Sequence, residues 1–278
     1  MKTTIEEVKN FNIKNKCKVH GGVIEKPITI QEKMRWLNIY EIPWSDEYHM
    51  PLKSVCSDKL LVKDYANKVL GTNIGVDTLA VYDTPQEIKW NELPNEFILK
   101  VNHNSGGTIV CRDKSAFNKT DAISKLSYWL RDDFAFRNGF ESHYHWIDRK
   151  IFVEKLMRDD KQQNSLFDYK FWCFNGEPKL YTINDGHGHG DIMYYKMDGS
   201  EWNLYGVKNH TEYKKPINFN LMVEYAKKLA QPFKFVRVDF YEVSGKVYLG
   251  EMTFVPGAAM FHYKNRNDDV KVGNMLKL

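Results

Sequence analysis

Several absences narrow this sequence before anything present in it is considered. Its four cysteines, Cys17, Cys56, Cys111 and Cys173, are far apart and form no CxxC pair, so no zinc site is implied. Cys111 and Cys173 sit in apolar, strand-like runs, where a buried free thiol is expected. No stretch approaches the roughly 18 uninterrupted apolar residues of a membrane span, and the opening MKTTIEEVKNFNIKNK has no apolar signal region. A cytoplasmic protein without a transmembrane segment is expected. The pattern GxxxxGK[ST] does not occur, which excludes a Walker P-loop. Internal repeats and low-complexity linkers are also missing. Neither sign of charge dominates, with 40 Lys and Arg against 36 Asp and Glu. A net charge of +4 suits anionic ligands but falls short of a nucleic-acid footprint, so no nucleic-acid partner is expected.

What is present describes a folded enzyme-sized chain. With 278 residues, 42% hydrophobic and 27% charged, it exceeds the usual single core and predicts two or three packed subdomains. TIQEKMRWLNIY opens with Thr29 and Glu32 at capping-box spacing, and SDKLLVKDYANKVLG predicts a second helix from Ser57 to Gly71. TLAVYD, EFILKVN, TIVCRD, KIFVEKLM, DYKFWCFNG and PKLYTIND have the composition and boundaries of strands. DAISKLSYWLRDDFAF and NFNLMVEYAKKLAQPF have helical period. This order predicts an α+β protein built from subdomains rather than one doubly wound sheet.

Near the C-terminus, RVDFYEVSGKVYLGEMTFVPGA predicts a hairpin. Side chains alternate along a strand, so Arg237 and Asp239 share the face opposite Val236, Val238 and Phe240. A three-residue loop Val243-Ser244-Gly245 is expected, because it pairs the opposite charges of Glu242 and Lys246 across the strands and brings Glu251 onto the same face, whereas a two-residue Ser-Gly turn would split the charges. Two carboxylates on a half-buried face repel each other unless a cation lies between them, and Mg²⁺ accepts carboxylate oxygens together with substrate phosphates. An Arg-Asp-Glu ion-pair patch on a solvated sheet face is the competing explanation.

Three other stretches can carry chemistry. FILKVNHNSGGTIV sets Lys100 in a strand ahead of a glycine-containing turn, where backbone N–H groups can approach a phosphate; an exposed hairpin lysine would look the same. Glu154-Lys155-Leu156 ends a strand where the chain can pass between subdomains and offer backbone groups to an adenine edge. SHYHW and DGHGHGD contain HxH pairs, which in a strand would place both imidazoles on one face, as metal ligands require; no third ligand group accompanies them. The glycine-rich setting of His187 and His189 favours a substrate-touching loop, and 185–202 is the expected acceptor wall.

Taken in order, SDKLLVKDYA, LPNEFILKVNHNSGG, IFVEKL, DYKFWCFNG and FVRVDFYEVSGKVYLGEMTFVPGA resemble the ATP-grasp superfamily, most closely the TupA-like family associated with teichuronopeptide and surface-polysaccharide assembly. The resemblance runs from about residue 28 to the C-terminus and assigns no role to residues 1–27. It implies an ATP-grasp fold with nucleotide held between two α+β subdomains: a helical N-terminal region 1–88, a lid 89–156 and a catalytic part 157–278. It further implies that Lys59 and Lys100 contact phosphates beneath a mobile Ser105-Gly106-Gly107 lid loop, and that Glu154, Lys155 and Leu156 form the hinge around adenine. Asp168 resembles the acidic ribose contact, with Lys170 a candidate beside it. Arg237 would steady the transferring phosphoryl group, while Asp239, Glu251 and Thr253 would hold Mg²⁺. Many ATP-grasp ligases carry Asn where this chain has Thr253, so a second metal would be held less directly. The resemblance implies an ADP-forming ligase joining a carboxylated saccharide to a small amine through an acyl phosphate, associated at most peripherally with a membrane-bound biosynthetic complex. An ATP-dependent phosphotransferase or glycosyltransferase, and a non-catalytic nucleotide-binding module, are the alternatives.

Overall fold

The computed structural model describes residues 3–158, 166–184, 193–206 and 215–278. In chain order the elements begin with α1 (Ile5–Asn15), α2 (Ile30–Tyr40), the short pair β1 (Trp44–Ser45) and β2 (Met50–Pro51), α3 (Leu52–Ser57) and α4 (Leu61–Leu70). Then come β3 (Thr78–Tyr82), β4 (Phe97–Val101), β5 (Thr108–Cys111), α5 (Lys119–Arg131) and β6 (Ile151–Glu154). The C-terminal part contains β7 (Asp168–Phe174), β8 (Glu177–Asn184), β9 (Tyr194–Lys196), β10 (Glu201–Trp202), α6 (Phe219–Ala230), β11 (Phe235–Val243), β12 (Lys246–Thr253) and α7 (Arg266–Gly273).

Two antiparallel sheets organise these elements. One has four strands in the order β3-β6-β4-β5, the other six in the order β10-β9-β8-β7-β11-β12. The α+β expectation holds, since every pairing is antiparallel and the helices pack alongside. The larger sheet builds the main core, in which Phe171, Tyr181, Phe235 and Phe240 meet Met222 and Leu229 of α6. Ile30 and Met34 of α2 and Val62 and Ala66 of α4 enter the same core, so these N-terminal helices are part of the larger sheet's packing. The smaller sheet keeps a core of its own, where Phe97, Leu99 and Val101 pack on Ala122 and Leu126 of α5.

Local signals explain most helix ends. Thr29 caps α2 through the anticipated box with Glu32, and α4 stops at Gly71 in the left-handed region (φ 68°). The helix expected from Ser57 begins later. Ser57 ends α3, and the Asp58 carboxylate accepts the N–H groups of Leu60 (2.8 Å) and Leu61 (3.3 Å), so α4 is started afresh by a side-chain cap.

The C-terminal hairpin corrects its expected turn while keeping the consequence. Ser244 and Gly245 form a two-residue turn, both at positive φ (50° and 76°), and Val243 pairs with Lys246. Glu242 does not pair with Lys246. Its carboxylate accepts from the N–H groups of Ile217 (2.9 Å) and Asn218 (2.8 Å), ahead of α6. That turn alone would send Glu251 to the wrong face. The register shifts by one residue at Gly250, so that Phe240 faces Leu249 but Asp239 faces Glu251. A Cβ at Gly250 would lie 2.9 Å from Tyr241 Cε2 and 3.2 Å from the Asp239 carbonyl oxygen, which explains glycine at the bulge.

Candidate active site

One face of β7, β11 and β12 gathers the charged residues. Asp239 lies opposite both Lys170 and Glu251, and Arg237 lies opposite Thr253. Arg237 donates from Nε to Asp239 Oδ1 (2.7 Å) and from one terminal nitrogen to Asp239 Oδ2 (2.6 Å), Glu251 Oε1 (2.7 Å) and Thr253 Oγ1 (3.1 Å). Lys170 donates to Asp239 Oδ2 (2.7 Å) and also to Asp168. Asp239 is 1% exposed, so it is stable there only because two cations cover it. Burial opposes the charge on Glu251, but Arg237, Lys170 and Lys59 outweigh it and hold the carboxyl down at about 2. Asp168 goes the other way, since burial lifts it to about 6 against the pull of Lys170. Its Oδ1 is buried and among the described residues has no hydrogen-bond donor, an orphan acceptor suited to a hydroxyl.

The smaller sheet supplies the remaining cations. Lys100 on β4 and Lys63 on α4 both engage Glu154 at the end of β6, the latter at 2.6 Å. Burial raises Glu154, yet the two lysines more than offset it and lower its pKa. Glu154, expected at the hinge around adenine, thus has its carboxylate engaged by two lysines in this structure. The Lys155 N–H donates to the Asp77 carbonyl (3.2 Å), and Leu156 is half-buried.

Lys59 connects the halves. Its Nζ donates to the Asn104 carbonyl in the β4–β5 loop, and its backbone N–H donates to the Asn102 carbonyl (3.1 Å). Burial, aided by Lys100, lowers its pKa to about 8 despite nearby Glu251 and Asp58. The loop is pinned more firmly than a free lid. Asn102, His103 and Asn104 are buried, the Asn102 amide donates to Asp58 Oδ2 (2.8 Å), and the Asn104 Oδ1 accepts from Gly107 N–H (3.3 Å). Only Ser105 and Gly106 at the tip are exposed, with Gly106 at φ 84°. A Cβ on Gly107 would lie 2.3 Å from the Asn104 amide nitrogen, so any larger residue there would displace the Asn104 side chain that accepts from the Gly107 N–H.

Asp58 and Asn102 are functional neighbours that sequence reasoning missed, although an Asp following a helix and an Asn before a glycine turn are recognisable capping and clamping types. The HxH pair at 142–146 does not lie in a strand. Ser142–Trp146 is a short 3-10 helix, so the imidazoles diverge: His143 is buried, whereas His145 Nδ1 lies 2.6 Å from Asp133 Oδ2 and its ring stacks on Phe11 at 4.0 Å. His187 and His189 lie outside the described residues. Of 185–202, Tyr194 and Tyr195 are buried in the main core, and the cavity next to Glu251 is lined by other segments. Among the described residues no group of three or more His, Cys, Asp or Glu side chains is arranged to hold a metal. The oxygen donors here are two carboxylates and the Thr253 hydroxyl. Such a hard, incomplete donor set fits Mg²⁺ carried in on phosphates rather than a protein-only cage.

Residues 11–277 match the family described as TupA-like ATPgrasp, so the likeness reaches back into α1 rather than starting near residue 28. A D-alanine-D-alanine ligase from Helicobacter pylori superposes with a TM-score of 0.50 at 15% identity, covering 89% of this chain and 69% of that one. An L-amino acid ligase from Bacillus licheniformis gives 0.48 at 12% identity over 82% and 49% of the two chains. A Bacillus anthracis D-alanine-D-alanine ligase complexed with ATP gives 0.43 at 14%, covering 82% and 70%. No curated protein matches the sequence. With its fold shared at this level and a family match over nearly its whole length, the chain belongs to the TupA-like ATP-grasp family.

Proposed function

We propose that this protein is an ADP-forming carboxylate–amine ligase that uses Mg-ATP to activate a carboxylated saccharide, or a related surface-polymer precursor, for attack by a small amine. The observation that carries this reading is a pair of adjoining charge clusters, Lys170 and Arg237 on Asp239 and Glu251 of the larger sheet and Lys63 and Lys100 on Glu154 of the smaller, with Lys59 within electrostatic reach of both Glu251 and Glu154. Mg²⁺ would be held by Asp239 and Glu251 with Thr253 beside them, neutralising phosphate charge. Lys100 and Lys59 would then turn to the phosphates beneath the Ser105-Gly106-Gly107 loop, and Lys63 would keep Glu154 satisfied when Lys100 leaves it. Arg237 would stabilise charge on the transferring phosphoryl group. Asp168, with its orphan oxygen, suits a ribose hydroxyl, and Lys170 steadies the carboxylate row. Lys155 and Leu156 would border the base. On this reading the lid begins with β3 at Thr78 rather than at 89, because β3 pairs with β6. Among the described residues no helix is long and apolar enough to cross a membrane. We place the reaction in the cytoplasm.

The products decide the chemistry. A carboxylated sugar with ATP, Mg²⁺ and hydroxylamine in place of the natural amine should yield a hydroxamate together with ADP and free phosphate. Phosphate retained on the sugar, without hydroxamate, would reassign the protein as a phosphotransferase.

A further inference from the structure

A cavity of about 270 Å³ opens beside Glu251 and Thr253, walled by Phe134, Glu141 and Tyr144 from the segment ahead of β6 and by Met260. Glu141 distinguishes it. The side chain is 7% exposed, and among the described residues no cation pairs with its carboxylate and no donor is bonded to it. Other buried acids all have partners. Asp58 takes Asn102 and two backbone N–H groups, Glu154 takes two lysines, and Asp239 takes Arg237 and Lys170. Glu242 accepts from Ile217 and Asn218, Asp268 from Asn265, and Asp269 from Gln31 and Tyr263. Burying a carboxylate without a partner is costly enough that such a group is normally matched by something that arrives later.

We propose that this cavity seats the amine substrate, which enters as a primary ammonium on a short, partly apolar stem and ion-pairs with Glu141. The proposal rests on the ligase reading above and names where its second substrate sits. Two carboxylates at one end, Glu141 and Glu251, disfavour an anionic substrate there, while the Phe134 ring and Met260 suit carbon rather than a hydrated metal ion. The position adjoins the carboxylate row that would hold Mg²⁺, so a bound amine lies next to where an activated carboxyl forms. Its volume, below the ~300–1,000 Å³ of drug-sized sites, fits an amino acid amide or a single amino sugar rather than a polymer end. Without the ammonium, burial and the nearby Glu251 charge lift Glu141 to about 8. The wall is also braced from behind: Phe11 of α1 packs on Phe136, Phe140, His145 and Trp146, the residues flanking Glu141 and Tyr144.

The test uses the full chain with saturating Mg-ADP and a panel of ethanolamine, D-glucosamine, D-galactosamine and L-alaninamide, each beside its N-acetyl counterpart, read by thermal shift and calorimetry. At least one free amine should bind the wild type and its acetylated form should not. Glu141→Gln should keep or raise the melting temperature, having replaced only an unpartnered buried acid by a neutral amide of the same shape, and should weaken amine binding roughly tenfold or more. The Mg²⁺ concentration needed for ADP binding should stay the same in that variant. The proposal is overturned if no amine of the panel binds the wild type, if acetylated forms bind equally, if Glu141→Gln binds amines unchanged, or if the variant shifts only the Mg²⁺ requirement. Because hydroxylamine is largely uncharged at neutral pH, hydroxamate formation by the wild type reports on the ligase reading alone. A hydroxamate without amine binding therefore defeats this inference and leaves the reaction class standing.

Discussion

The two sheets of this protein divide the work of one site unequally. The larger sheet is covered by helices and holds its charges by strand register: Arg237, Asp239, Glu251 and Lys170 are fixed by pairings on three adjacent strands. The smaller sheet is thinly covered. Leu79 and Val81 on β3 and Val110 on β5 are 44–48% exposed, and its contributions, Lys100 and the β4–β5 loop, reach the site across the gap. The difference suggests that charge geometry is set on rigid strands, while access is left to the part with less core to lose. Hydrogen exchange should break or sustain this contrast. Amides of β3 and β5 should exchange orders of magnitude faster than those of β7 and β11, with Mg-ATP slowing only the former. Equal protection in both sheets would show that no such division exists.

The strongest way to sharpen the contrast is to remove the metal side. Asp239→Asn should lower ADP formation by about 10²–10³-fold. Lys170 keeps Asp168 and Arg237 keeps Glu251, so the variant should still fold, and exchange protection in β7 should persist. Full turnover in the variant would remove Asp239 from the site. Next in size is Gly250→Val. Its side chain would press on the Tyr241 ring and the Asp239 carbonyl, costing about 1–3 kcal/mol in thermal or denaturant unfolding. Activity should fall further than this loss of stability implies, because the bulge aims Glu251. A proportionate loss would make Gly250 merely a packing residue.

That bulge also marks the limit of what could be read from the chain. The alternation of Val236, Val238 and Phe240 against Arg237 and Asp239 was legible, as were the Thr29 capping box and the Gly71 stop, because each is a local rule acting within a few residues. The turn was misjudged because opposite charges, Glu242 and Lys246, looked like a cross-strand pair, whereas Glu242 is used ahead of α6, far along the sequence. Two departures, a shorter turn and a one-residue bulge, cancelled. The strand-borne charges that gather on one face are visible in the sequence motifs; the burial of Glu141, Asp58 and Asn102 is not. Their importance arises from burial between segments distant in sequence, which leaves no periodic trace. The same reason hid α1, whose single ring Phe11 matters through what it touches.

Phe11 allows a smaller, more selective test. It is half-buried, its ring contacts among the described residues are with Phe136, Phe140, His145 and Trp146, and it packs on the small cluster of Val19, Ile39 and Phe140, none of which belongs to the carboxylate row. Phe11→Ala should cost about 1–2 kcal/mol, less than a fully buried ring. Its kinetic effect should appear in the apparent KM for amine more than in that for ATP. An effect on ATP alone would detach α1 from the wall of the amine cavity.

The smallest expected effect concerns protons, and it distinguishes the lysine that bridges the sheets. Burial sets the Lys59 ammonium at about 8, against an ordinary value of 10.5. The unfolded chain therefore holds this proton up to about 10.5 while the free native protein releases it above about 8, so this group's contribution makes the fold more stable as pH rises between those values. Bound polyphosphate favours the charged form and pulls the pKa back up. ADP binding should then take up close to one proton at pH 9, measurable by calorimetry in buffers of different ionisation enthalpy, and much less at pH 7. Lys59→Met should abolish the uptake, and affinity in that variant should lose its decline above pH 8. Were the uptake to persist in Lys59→Met but vanish in Lys100→Met, the phosphate-linked proton would belong to the smaller sheet rather than to the residue that connects the two.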